Sequence, residues 1–265
     1  MSILGVINAL SPKDRGSRRL AAGIAYGAAP RQGLDLYGPA RPGSEPLPVV
    51  VFFYGGSWES GDRREYAFVG RALAALGYIA VVADYRLVPE VEYPAFIEDG
   101  AAAVRWVMDR IDGYGGDARR LALMGHSSGA YNAAMLALDP RYLGADAGRI
   151  RAVVGLSGPY DFLPLESAIT LRVFGAAGDV AATQPVNLVT PAAPPMLLAT
   201  GLADRLVYPK NTAALAQQLR QAGVEVVEKR YAGVNHPVPL LALGLPFRRL
   251  APVHADVRDF LAKVL

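Results

Sequence analysis

The chain contains no cysteine, and that absence removes disulfides, thiolate metal sites and a cysteine nucleophile from consideration. Histidine is almost as scarce: three residues in 265, so chemistry that needs an imidazole must use His126, His236 or His254. No apolar run reaches the roughly 18 residues required to span a bilayer. The opening Met1–Leu10 lacks a basic n-region, and no small-residue cleavage site follows it closely, so it is not read as a signal peptide. A large excess of one charge is also missing, the net charge being +3. The densest basic cluster, Arg15, Arg18 and Arg19, has no interleaved aromatics and reads as a solvated face rather than a nucleic-acid surface. The default expectation is a soluble cytoplasmic protein, with no nucleic-acid partner and no membrane span. Because a lack of thiols suits both compartments, the periplasm stays open.

What is present points to a globular α/β protein. Apolar residues make up 52% and charged residues 19%, and the length suits one domain, 1–265, with a substantial core. Pro48–Tyr54 is a continuous β-branched and aromatic run bounded by Pro and Gly-Gly, the pattern of a strand buried on both faces. Gly33–Tyr37 alternates and predicts a short antiparallel edge strand. From there helical and strand patterns take turns. Helices are expected at Tyr66–Leu76, Pro94–Arg110, Ser128–Leu138, Asn211–Ala222 and Val253–Val264. Strands are expected at Tyr78–Ala83, Leu121–Met124, Val153–Ser157, Ala193–Thr200 and Val224–Tyr231. That alternation implies βαβ units in a mostly parallel twisted sheet with helices on both faces. In such sheets ligands bind beyond the carboxyl ends of the strands. The stretch 158–192 breaks the alternation, being punctuated by Pro and Gly with an apolar patch at Ile169–Phe174, and is expected to form a small insertion or lid.

Gly125-His126-Ser127-Ser128-Gly129 matches G-x-S-x-G. The pattern alone is weakly informative, but here it directly follows an expected strand and opens an expected helix, the setting the motif requires. Ser127 is therefore the candidate nucleophile, lifted on a sharp turn whose flanking positions have no room for a Cβ. Tyr54-Gly55-Gly56-Ser57-Trp58 follows the first buried strand and can bring backbone N–H groups to the opposite side of a reacting carbonyl. The oxyanion donors expected are Gly56, Ser57 and Ser128, with Trp58 and His126 as substrate-binding residues.

A serine hydroxyl needs an adjacent base. His126 is adjacent in sequence to the nucleophile and reads as a pocket or packing residue, and His254 lies within the last helical pattern, where a surface or capping role is expected. His236 follows the last strand and is the candidate base. The orienting acid is expected between nucleophile and base, after a strand; Asp204 fits, with Asp179 as the fallback and Asp161 and Glu166 behind it. A carboxylate at position 127 would be wanted for a dehalogenase, and Gly113–Asp117 precedes a strand rather than opening a helix, so neither that reaction nor dinucleotide binding fits.

With these residues placed, the chain resembles the α/β-hydrolase esterases, close to the group of bacterial carboxylesterases, feruloyl-esterase-like proteins and kynurenine formamidase. It is similar also to the hormone-sensitive-lipase group. The resemblance runs from about Asp35 to the C-terminus and is carried by Tyr54–Trp58, Asp84-Tyr85-Arg86-Leu87, Pro89-Glu90, Tyr93-Pro94-Ala95, Gly115-Gly116-Asp117, the serine turn, and the Asp204 and His236 segments. It implies the α/β-hydrolase fold and a serine carboxylesterase acting on small esters through an acyl-enzyme, with no metal and no cofactor. An amidase or arylformamidase with the same triad is the alternative, and a non-catalytic binding protein on the same fold is a more distant one. The family usually has His where Tyr54 stands, a residue that braces the loop. Asp84, Arg86 and Glu90 are expected to form a structural polar network beside the site.

Overall fold

A computed structural model describes residues 2–265, so Met1 of the Met1–Leu10 stretch lies outside the described residues. Helix α1 (Ile3–Leu10) precedes eight strands that form one sheet: β1 (Ser17–Ala25), β2 (Gly33–Pro39), β3 (Leu47–Phe53), β4 (Ile79–Ala83), β5 (Gly116–His126), β6 (Ile150–Leu156), β7 (Met196–Gly201) and β8 (Val226–Tyr231). Their order across the sheet is β1-β2-β4-β3-β5-β6-β7-β8. Only the β1–β2 and β2–β4 pairs are antiparallel; every pair from β4–β3 to β7–β8 is parallel. The crossovers run through α2 (Ala67–Ala75), α3 (Ala95–Arg110), α4 (Ser128–Leu138) with the short α5 (Pro140–Leu143), α6 (Ala168–Phe174) and α7 (Lys210–Gln221); α8 (Val238–Leu241) and α9 (Val253–Val264) close the chain. No described helix is long and apolar enough to cross a membrane.

The central strands show why the sheet is parallel. Val49 to Phe53 on β3 and Leu121 to Met124 on β5 are fully buried at successive positions. Because successive side chains point to opposite faces, both faces must be covered, and parallel sheets meet that condition. Helix α4 packs on β3, β5 and β6, and its described side chains are all buried. That matches a helix hydrophobic all round.

Two expectations need correction. Gly33–Tyr37 does form an antiparallel strand, but not the sheet edge: β1 pairs with its outer side. β1 carries no period-2 signal in the sequence, because its exposure pattern has little alternation and it bears the solvated Arg18 and Arg19. β5 is also longer than the apolar run Leu121–Met124, since its first half is the polar segment from Gly116 to Arg120, half-buried in part. The segment 158–192 holds α6 and two single turns of 3-10 helix, 181–183 and 185–187.

Candidate active site

The turn after β5 follows from steric necessity. A Cβ on Gly125 would lie 2.2 Å from the Gly129 carbonyl oxygen, and one on Gly129 would lie 2.1 Å from that of Phe53. Only glycine at both positions lets the chain double back this tightly. Between them Ser127 takes φ 54° and ψ −125°, a conformation that costs a non-glycine residue energy and persists only where its surroundings impose it. The Ser127 N–H donates to the Leu156 carbonyl at 2.8 Å, which fixes the turn to β6.

The ends of β7 and β8 place the other two residues. The Ala203 N–H donates to the Val234 carbonyl at 2.9 Å and the Leu202 N–H to the Tyr231 carbonyl at 2.9 Å, so the loops carrying Asp204 and His236 are laced together. His236 Nε2 lies 2.9 Å from Ser127 Oγ, and His236 Nδ1 lies 2.7 Å from Asp204 Oδ2. The second carboxylate oxygen of Asp204 accepts the N–H groups of Leu206 and Val207 at 3.0 and 2.9 Å. Burial opposes ionisation of Asp204, but its hydrogen bond and charge interaction with His236, with those two N–H groups, outweigh it and hold the carboxyl below its ordinary value. A carboxylate is thus ready to accept Nδ1–H and stabilise an imidazolium.

The other candidates fall elsewhere. Asp179 is exposed and caps a turn through the N–H groups of Ala181 and Ala182. Asp161 and Glu166 line the cleft in front of Ser127 rather than standing behind His236. His254 is half-buried on α9 rather than at the surface, and burial, with the Arg248 charge second, lowers its pKa to about 4. His126, expected as a substrate contact, does not line the cleft. It is buried behind His236, ring centroids 4.9 Å apart, with Nε2 3.0 Å from the His236 carbonyl oxygen. Burial above all, then the charge of His236, lowers the His126 pKa to about 3, so the ring is neutral and its Nε2–H serves as donor to that carbonyl. Its place on the inward side of the turn explains the difference.

The loop after β3 is held from below. Gly56, Ser57 and Trp58 have φ of 141°, 56° and 60°. Their turn is closed by the N–H groups of Glu59 and Ser60, both donating to the Gly56 carbonyl at 3.0 Å. No acceptor among the described residues takes the N–H of Gly56, Ser57 or Ser128. Tyr54 occupies the brace position: its hydroxyl donates to Asp84 at 2.7 Å and accepts from Arg31 at 3.0 Å, while the Tyr85 hydroxyl donates to the Tyr54 carbonyl at 2.8 Å. Asp84 also pairs with Arg63. The expected network is therefore real at Asp84 but differently composed, because Arg86 pairs with Asp99 at 2.8 Å and Glu90 is exposed.

In front of Ser127 opens a cleft of about 310 Å³. Trp58, Phe162, Leu163 and Ile169 supply apolar wall, and Asp161, Tyr208 and Lys210 supply polar rim. No motif marks this rim in the sequence, because its residues come from the 158–192 segment and from the start of α7 with the turn before it. Among the described residues no group of three His, Asp or Glu side chains is placed to hold a metal ion.

The BD-FAE family model matches residues 34–219. Esterase LipC of Mycobacterium tuberculosis is 31% identical over 82% of this chain and 60% of its own length. The chain spans 36% to 64% of the length of the curated relatives it matches. Among solved structures, a thermostable esterase from Pseudomonas putida ECU1011 is 27% identical with a TM-score of 0.77, covering 99% of this chain and 88% of that one. Esterase B from Lactobacillus rhamnosis, at 22% identity, superposes with a TM-score of 0.84 over 98% of this chain and 91% of its own, a likeness of fold. The fold is the α/β-hydrolase fold.

Proposed function

Because this chain belongs to the BD-FAE family, we propose that it is a serine carboxylesterase that hydrolyses small carboxylic esters through an acyl-enzyme, with one domain over 1–265 carrying the site. The reading is carried by one observation, the continuous hydrogen-bonded line Ser127–His236–Asp204 with separations of 2.9 and 2.7 Å, whose Ser127 end lines an open cleft. Hydrolase relatives and neighbours, LipC and the Pseudomonas putida esterase among them, add support.

In this mechanism His236 Nε2 takes the Ser127 proton as Oγ attacks the ester carbonyl, and Asp204 stabilises the imidazolium. The tetrahedral oxyanion takes up the free N–H groups of Gly56, Ser57 and Ser128, and the N-terminal end of α4 adds a favourable partial charge. The imidazolium then gives its proton to the departing alkoxide. Water, deprotonated by the same imidazole, cleaves the acyl-enzyme and regenerates Ser127. Trp58 walls the cleft where the substrate lies. His126 acts behind the base rather than on the substrate, and the proposed compartment is the cytoplasm.

Labelling with a fluorophosphonate tests the nucleophile. The unmodified protein is expected to react and to hydrolyse short-chain p-nitrophenyl esters. Ser127→Ala is expected to lose labelling and about a million-fold of turnover with the fold intact. Hydrolysis unchanged in that variant would remove the assignment.

A further inference from the structure

The oxyanion loop is strained, and its own hydrogen bonds do not account for its staying so. Ser57 and Trp58 both sit at positive φ, 56° and 60°, without being glycine. Two such residues in succession persist only when contacts outside the loop over-determine them. One is a backbone tether, the Val88 N–H donating to the Trp58 carbonyl at 2.9 Å; the others gather on the Trp58 side chain. Its indole Nε1–H donates to Asn132 Oδ1 at 3.0 Å, on the helix that begins at Ser128. Around the ring stand Tyr131 at 5.2 Å and Phe174 at 5.0 Å, both edge-on, with Phe96 at 5.8 Å. Asn132 and Tyr131 come from α4 and Phe96 from α3. Phe174 alone of these comes from the 158–192 segment.

We infer that Phe174, the last residue of α6, is a positioning residue for the oxyanion loop, seating the Trp58 indole and through it fixing the backbone N–H groups of Gly56 and Ser57. Phe174 is fully buried beside Val173 at the end of α6, whereas Leu171 one turn back is 53% accessible. Its ring also meets Phe162 at 5.1 Å and Tyr93 and Tyr131 at 5.4 Å each, so it cannot shift without moving the cleft wall. A second link joins the same helix to the same loop: Arg172 reaches Glu59 at 2.5 Å, and the Glu59 N–H closes the turn onto the Gly56 carbonyl. The inserted segment thus clamps the loop at two points, and the geometry of the N–H donors depends on a residue that touches neither substrate nor triad.

This inference rests on the esterase reading and makes a separable claim. Truncating Phe174 frees one edge of the indole, and Ser57–Trp58 can relax toward right-handed backbone, turning the donors away. Donors aimed at the oxyanion act on the transition state more than on the bound ester. Phe174→Ala is therefore expected to lower kcat about tenfold or more with KM within about twofold, and to weaken inhibition by a trifluoromethyl ketone analogue by the same factor. Phe174→Leu, which removes less volume and secures a folded protein, should fall between. A truncation that only destabilises, Phe260→Ala on α9, should leave kcat and analogue affinity unchanged. Trp58 is one of two tryptophans, so in a Trp106→Phe background its emission should shift on Phe174→Ala or Phe174→Leu. The inference is overturned if both Phe174 variants keep kcat and analogue affinity within twofold of the unmodified protein, or if Trp58 emission does not move. An unmodified protein that neither labels with fluorophosphonate nor hydrolyses any ester sinks the esterase reading instead, and the emission measurement still decides the seat.

Discussion

Replacing Asp204 with asparagine should damage turnover far more than the loss of one charge suggests, and the surroundings of the carboxylate say why. One oxygen is committed to the backbone N–H groups of Leu206 and Val207, the other to His236 Nδ1. An asparagine in this place keeps its carbonyl oxygen on the two N–H groups, which as donors need an acceptor there, and turns its NH2 toward Nδ1. Nδ1 must then accept, the proton moves to Nε2, and Nε2 meets Ser127 as a donor instead of a base. The wrong tautomer in an otherwise intact site costs about four orders of magnitude in kcat, or about 5.5 kcal/mol of transition-state stabilisation. The assay is kcat on a short-chain p-nitrophenyl ester, with circular dichroism to establish that the variant is folded. Asp179→Asn serves as the control, because Asp179 is an exposed turn cap. An Asp204→Asn enzyme within tenfold of the original, or an Asp179→Asn enzyme equally impaired, would refute the assignment of the acid.

Two further outcomes follow from the ground under the site. Tyr54→Phe removes a hydroxyl that donates to buried Asp84 and accepts from Arg31, so urea unfolding should show a loss of about 1 to 3 kcal/mol; an unchanged midpoint would mean the brace is dispensable. Turnover should fall less, because the Tyr85 and Tyr66 hydroxyls still hold the carbonyls of Tyr54 and Gly55. Stability should also decline in acid, since burial keeps the folded-state pKa of His126 at about 3 against an ordinary 6.5. The unfolded chain takes up that proton first, so the stabilisation is complete above pH 6.5 and is lost as pH falls from there toward 3. Thermal melting across that range should show a shallower slope for His126→Gln, whose side chain does not titrate; parallel curves would contradict the assignment.

The legibility of this chain tracks how local each constraint is. Ser127 could be read from five consecutive residues because the turn's geometry forbids side chains at two of them. His236 and Asp204 could be read because topology delivers the ends of neighbouring parallel strands to one edge, so that position after a strand stands in for position in space. β1 left no trace, since an edge strand with solvated arginines has no buried face to impose a period. Arg86 was grouped with Asp84 on proximity in sequence, whereas its partner Asp99 lies on α3, a pairing fixed only by how that helix packs. His126 was left between a pocket and a packing role because its neighbour in sequence is the nucleophile; the turn that exposes Ser127 directs the preceding side chain inward, against the back of His236, which is the packing role. Phe174 lies furthest from legibility. It is 116 positions from Trp58 in sequence and reads there as one more apolar residue in a broken stretch; only the folded contacts show that the inserted helix and the strained loop hold each other in place.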